Sequence, residues 1–242
     1  MKNLYGTPKD EFLDHIRHAL KRGKGPPKEI YPLLKEPLSS IKKRKREVEQ
    51  KNLSKRNSLI NQLVRTANLV GWNVKTVKTT TEALAYLREL LNKHNIKKVI
   101  RTDEKIFETV NVDTQLIESK ADLMVNTQSS VRKFDPDTAE LGLTGANHAI
   151  AETGSVVLVS QKGSARLTSL TPKIHLALVK RSVILESLED LYLFRRLEYY
   201  NGNGGEYMTF VSGPSRTADI EQVLVVGAHG PKETHMLILD WD

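Results

Sequence analysis

The chain has 242 residues, is 39% hydrophobic and contains no cysteine. That is enough for one sizeable core, and it excludes disulfides, thiolate catalysis, zinc–cysteine sites and any cysteine-ligated iron–sulfur cluster within the chain. The formal net charge of +8 is unevenly placed: residues 1–70 hold 17 Lys/Arg and 7 Asp/Glu, and residues 71–242 hold 20 and 22, so the body is near neutral and needs no polyanionic partner. No apolar run approaches the roughly 18 residues of a membrane span. Met1 to Gly6 lacks the apolar centre of a signal peptide, so a cytoplasmic protein is expected.

Thr7-Pro8-Lys9-Asp10 reads as a helix start, and Phe12, Leu13, Ile16 and Leu20 fall on one face of the helix that follows. Gly23, Gly25 and Pro26-Pro27 stop it. A second helix is predicted from about Ser39 to Val70. Its first half carries the basic run Lys42-Lys43-Arg44-Lys45-Arg46, its second half an apolar stripe from Leu59 to Val70, and Gly71 closes it. Such a run is usually a solvated face; it could also dock on an acidic protein or nucleic acid, although only Tyr5, Phe12 and Tyr31 are aromatic there. From Trp72 onward strands and helices alternate. Strands are predicted at Val74–Val77, Lys97–Thr102, Ala121–Thr127, Ser155–Ser160, Ile174–Lys180, Tyr207–Val211 and His235–Asp240. Helices are predicted from the capping box Thr79/Glu82 to His94, at Glu104–Val110, from Asp135-Pro136-Asp137 through Leu141–Ala151, and over Ser182–Tyr200 with Leu185, Leu188, Leu191 and Tyr192 inward. This alternation implies an α/β fold, a helical extension over residues 1–70 and an α/β domain over 71–242, with a mostly parallel sheet covered on both faces.

Three clusters could carry chemistry, and ligands of open α/β sheets gather at the carboxyl ends of strands. In Leu143 to Ser155, Gly145 and Gly154 let the backbone approach a ligand or a neighbouring element, and Glu152 could move a proton or bind a hydroxyl. The same glycines also read as a packing position and a helix cap. In Gly163 to His175, Arg166 could face an anion, and His175 alternates with apolar strand residues as hydrogen-bonded structural histidines do. The third cluster joins Ser212-Gly213-Pro214-Ser215-Arg216-Thr217-Ala218-Asp219 to Gly227-Ala228-His229-Gly230-Pro231. A strand-to-helix turn there would expose N–H groups to an anion, with Arg216 as a planar fork. Ser215 or Thr217 as an ordinary cap, with Arg216 paired to an acid, is the structural alternative. Apart from His15 and His18 on a short polar helix, no histidines stand at ligand spacing near acids, and there is no phosphate-binding glycine loop and no nucleophile elbow.

Thr144-Gly145-Ala146, Ala149-Ile150-Ala151-Glu152-Thr153-Gly154-Ser155, Arg166, Pro172, Gly213-Pro214-Ser215-Arg216-Thr217-Ala218-Asp219-Ile220-Glu221 and His229-Gly230-Pro231 together resemble the lactate-utilisation (LUD) domain family, nearest its protein C group, over about residues 60–242. The resemblance implies a three-layer α/β/α fold similar to the glucosamine-phosphate isomerase, ribose-phosphate isomerase and CoA-transferase group. It implies a component of a lactate or 2-hydroxy-acid oxidation system, without a cofactor of its own, whose partners carry iron–sulfur clusters. Glu152 and His229 are then the candidates for proton transfer. Gly145, Thr153, Gly154, Arg166, Gly213, Pro214, Ser215, Arg216, Thr217, Asp219 and Gly230 are the candidates for binding a small carboxylate or phosphate. A non-catalytic anion-binding regulatory or assembly protein is the alternative.

Overall fold

The computed structural model describes residues 8–21, 23, 36–126, 138–160, 166–202, 207–218 and 224–241. The chain divides into two compact units, Met1–Ile41 and Lys42–Asp242. In the first unit, α1 (Lys9–Ala19) starts at Pro8 and buries no residue; Phe12, Ile16 and Leu20 of its apolar stripe are exposed. The division falls inside α2 (Leu38–Ser54), and α3 (Arg56–Val70) follows after a break at Lys55. The single helix expected over Ser39–Val70 is therefore two. Gly71 closes α3 in the left-handed conformation, with φ of 101°, where a residue without a Cβ is favoured.

Six parallel strands form the central sheet in the order β1-β12-β7-β4-β2-β3. They are β1 (Asn73–Val77), β2 (Lys98–Arg101), β3 (Asp122–Val125), β4 (Leu141–Gly145), β7 (Ile174–Lys180) and β12 (Glu233–Leu239). Parallel strands covered on both faces are buried along their length and mostly apolar; β4 and β7 are buried almost throughout, with Thr144 and His175 as polar interruptions. One face carries Val99, Leu141, Leu143, Leu176 and Leu237, covered by α4 (Thr80–Lys93), α5 (Ile106–Val110) and α6 (Val112–Glu118). Thr79 caps α4 by accepting from Glu82 N. The other face carries Ala177, Val179, Met236 and Ile238, covered by Leu59, Ile60, Leu63 and Ala67 of α3.

A second, four-stranded sheet lies against α3 in the order β8-β5-β6-β9: β5 (His148–Ile150), β6 (Ser155–Val159), β8 (Ile184–Leu185) and β9 (Met208–Val211). Leu191 of α8 (Leu188–Tyr200) packs with Ile150, Val157 and Leu185 of this sheet. Two expectations change here. Leu141 to Ala151 forms β4 and β5 rather than a helix; a short apolar run does not by itself distinguish buried strand from buried helix. The proposed opening, Asp135-Pro136-Asp137, lies outside the described residues. Ser182–Tyr200 is not one helix: β8 pairs with β5, Ser187 caps α8 by accepting from Asp190 N, and Tyr192 is exposed rather than inward.

Within the second unit, two residues of the basic run, Arg44 and Lys45, and the later Lys51 and Lys55 face acids. Lys51 and Lys55 face Glu186 at 2.5 and 3.8 Å, Arg44 faces Glu189 at 3.5 Å, and Lys45 lies 3.0 Å from Glu49 and over the Phe194 ring. Hydrogen bonding to Glu186 raises the Lys51 pKa and lowers that of Glu186. Both groups are partly solvated, so each pair adds little stability; together they set α2 against the start of α8.

Candidate functional site

Most of the motif residues converge on the last turn of α3. Gly154 (φ 67°) lies so close to that helix that a Cβ would sit 2.5 Å from the Ala67 nitrogen, and Thr66 donates its hydroxyl to the Ala151 carbonyl at 2.7 Å. Thr153 donates to Ser155, whose hydroxyl meets that of Ser212 at 2.6 Å. This chain joins the first motif to the Ser212-Gly213-Pro214 turn. Gly213 (φ 102°) packs directly on the Val70 carbonyl. Pro214 and Arg216 lie against Gly71: a Cβ there would be 3.1 Å from Pro214 Cδ and 2.5 Å from Arg216 Nη2. The guanidinium thus stands at the carboxyl end of α3, where a helix favours a cation.

The Gly213 and Gly230 turns are side by side. Ser215 N donates to the Pro231 carbonyl at 2.9 Å, Gly227 N donates to the Ser215 carbonyl at 2.8 Å, and a Cβ on Gly230 would lie 3.1 Å from Ser215 Cβ. Arg216 and Thr217 begin β10 (Arg216–Ala218), which pairs antiparallel with β11 (Leu224–Val226). The segment after Ser215 is therefore a strand, and the expected helix N-terminus is absent over Arg216–Ala218. The location also differs from expectation. Gly71, Pro231 and Pro172 lead into β1, β12 and β7, so these turns occupy the amino edge of the parallel sheet.

The remaining candidates are dispersed. Gly145 ends β4 at the opposite, carboxyl edge, where its N–H donates to Glu104 at 3.1 Å; Glu104 also accepts from the Thr102 hydroxyl. This is the topological switch point, because β2 leads outward to β3 and β4 leads inward to β7, and such crevices hold ligands in open α/β sheets. Arg101 supports it with a two-pronged contact to Asp113 at 2.8 and 2.7 Å and a bond to the Thr102 carbonyl. Arg101→Met should cost roughly 2 kcal/mol, since it removes charge-assisted bonds from a buried group; urea unfolding would show a lower midpoint at unchanged slope. Glu152 is exposed and accepts from Leu188 N at 3.3 Å, at the start of α8. Arg166 lies over the Tyr207 ring, His229 is exposed on its turn, and Asp219 lies outside the described residues.

Sequence reasoning missed a buried polar row beneath the amino-edge turns. Thr234 and His175 are register partners on β12 and β7, and Trp72 directly precedes β1. Trp72 is 3% exposed and the other two are fully buried. The Trp72 and His175 rings are 6.0 Å apart. His175 Nε2 bonds the Thr144 hydroxyl at 2.8 Å. Among the described residues, His175 Nδ1, Thr234 Oγ1 and Trp72 Nε1 have no hydrogen-bond partner. Burial lowers the His175 pKa to about 3, helped by the His235 charge. On the sheet's other face, Tyr86 donates to His235 Nδ1 at 2.7 Å and Glu233 accepts from His235 Nε2 at 2.9 Å. Burial lowers the His235 pKa and raises that of Tyr86 to about 12. Among the described residues no group of three or more His, Asp or Glu could hold a metal ion, and no helix is long and apolar enough to cross a membrane.

A parallel sheet with helices on one face, and a helix and second sheet on the other, defines a three-layer α/β/α domain whose motif turns gather at one helix end. Residues 60–239 match the LUD domain, and the chain belongs to that family. It is 27% identical over 234 residues to lactate utilization protein C of Shouchella clausii, covering 96% of this chain and 97% of that one. It is 31% identical over 191 residues to lactate utilization protein C 1 of Bacillus mycoides, covering 75% and 79%. Lactate utilization protein B of Bacillus subtilis is 23% identical over 249 residues, covering 80% of this chain but 50% of that protein. The crystal structure of a DUF162 family protein from Deinococcus radiodurans has the same fold, with a TM-score of 0.54 at 17% identity over 76% of this chain and 98% of that one.

Proposed function

We propose that this chain is a component of a lactate, or 2-hydroxy acid, oxidation system that binds a small carboxylate and works with iron–sulfur partner proteins. The observation that carries the reading is the nearly end-to-end match to a lactate utilization protein C. Oxidising lactate to pyruvate removes two electrons and two protons. A chain without cysteine holds no cysteine-ligated cluster, so the electrons pass to clusters on partner chains. Arg216 stands among the converging turns, and its planar fork suits a carboxylate. The test is growth: cells lacking the gene should fail on lactate as sole carbon source and grow normally on glucose, and the wild-type chain should restore them. Restored cells should also yield iron–sulfur proteins that co-purify with it. Unimpaired growth on lactate without the gene would refute the reading.

A second reading, a non-catalytic anion-binding or assembly protein, is favoured by one observation. Glu152, the acid of the first motif, already accepts a backbone N–H at the start of α8. Glu152→Gln separates the two. It should leave lactate growth intact if Glu152 is structural, and abolish growth at unchanged melting temperature if Glu152 moves a proton.

A further inference from the structure

We infer that Trp72, Thr234 and His175 form the inner wall of a binding site for a small 2-hydroxy or 2-oxo carboxylic acid, with Arg216 at its rim. The place of the site rests on geometry; the choice of acid rests on the function proposed above.

Buried polar atoms are nearly always hydrogen-bonded, and leaving one unpaired is costly. Here, among the described residues, three unpaired atoms lie in one row, on β7, on β12 and on Trp72 just before β1. Their surroundings are not generally loose. Thr144 is bonded to His175, and Thr168 accepts from Asn126 at 3.0 Å. Each orphan also stands close to the motif residues: Thr234 and His175 follow the motif prolines Pro231 and Pro172 by three residues, and Trp72 follows Gly71, on which Pro214 and Arg216 pack.

The three groups define what they can bind. The indole Nε1–H only donates, and a threonine hydroxyl donates or accepts. When the Thr144 hydroxyl donates to His175 Nε2, the neutral ring carries its proton on Nδ1 and donates from there. Two ring N–H groups and a hydroxyl therefore suit an oxygen acceptor. None of the three is charged, and an ionised group sealed among them would lack a counter-charge. The inner oxygen is thus a hydroxyl or keto oxygen. The charge belongs at the rim, where Arg216 contacts Gly71, the residue before Trp72. A neutral oxygen on the carbon next to a carboxylate is the chemistry of a 2-hydroxy or 2-oxo acid; in phosphate every oxygen, P–OH included, sits on the charged centre itself, so none can enter the neutral row while the charge stays at the rim.

The test uses the full chain with Trp241→Phe, which leaves Trp72 as the only indole of the two in the sequence. L-lactate, pyruvate and inorganic phosphate are titrated into ¹⁵N-labelled protein. Lactate or pyruvate should shift the Trp72 indole N–H resonance saturably, and phosphate should not. Thr234→Val should keep or raise the melting temperature, because it removes an unpaired hydroxyl, and should weaken binding roughly tenfold. Arg216→Lys should keep the indole response at several-fold weaker affinity, since it holds the charge without the fork. An indole signal unmoved by either acid, or moved as strongly by phosphate, overturns the inference. Growth distinguishes the two readings. If cells need the chain for lactate but Trp72 does not respond, the site is wrong and the function stands. A responding site in cells that do not need the chain gives the reverse.

Discussion

Acid should destabilise the wild-type protein steeply below pH 6.5, and His175→Asn should flatten that dependence. In the fold, burial holds the His175 pKa at about 3, against 6.5 for a free histidine. Between those values the unfolded chain binds a proton that the folded chain refuses, so stability falls as pH drops. The contribution is fully present above the unfolded value. By pH 3, roughly 4 kcal/mol of it is lost. Asparagine does not titrate and keeps a polar group for Thr144. Urea unfolding at pH 7.5, 6, 5 and 4 gives the slope of stability against pH for both proteins. Whatever stability the variant starts from, its slope should be shallower. Some slope remains, because the His235 pKa is lowered in the same direction. Equal slopes would show that His175 is protonated in the fold, and its placement as a neutral donor would fall with it.

The residues that were legible in the sequence are those whose signal is local. The apolar runs at Val74, Val99, Val156 and Ile174 each became a strand, and Gly71 and Thr79 mark helix ends by the chemistry of their own turns. The family motifs announced close backbone approach at Gly154 and Gly213, but what each approaches, the end of α3, is supplied by a helix far away in the chain. The same limit explains β4. Gly142 is needed because the Thr168 carbonyl oxygen occupies the place of its side chain, and nothing near position 142 encodes that. The buried row is the extreme case. Trp72, His175 and Thr234 are neighbours only through the register of three parallel strands, so no spacing joins them. The choice of sheet edge was hidden for a related reason. A turn before a strand and a turn after one look alike until strand order and direction are known.

Gly154→Ala should be the most damaging of three glycine-to-alanine changes, and the set separates its causes. Gly202 has φ of 75° with nothing within 4 Å of a new Cβ; alanine there meets backbone strain alone and should cost about 1 kcal/mol. Gly142 has no positive φ, but its Cβ would overlap the Thr168 carbonyl oxygen. Alanine there must push α7 (Leu167–Leu170) off the sheet, at roughly 2–3 kcal/mol of overpacking. Gly154 combines both effects. Its φ is 67°, and the new Cβ would lie 2.5 Å from Ala67 N, 2.6 Å from Thr66 C and 2.7 Å from Ala67 Cα. These are backbone atoms inside a helix and cannot swing aside as a side-chain tip can. The cost should be roughly 3–4 kcal/mol, a large share of the stability of a domain this size. Moving the turn off α3 would also break the Thr66–Ala151 bond and the Thr153–Ser155–Ser212 hydroxyl chain, which ties the first motif to the Gly213 turn. Gly154→Ala should therefore lose the proposed lactate binding along with stability, whereas Gly202→Ala should leave it unchanged. Denaturant midpoints rank the three variants, and titration with lactate follows the site. If Gly154→Ala costs no more than Gly202→Ala, the β5–β6 turn does not press on α3, and the convergence of motifs around that helix is wrong.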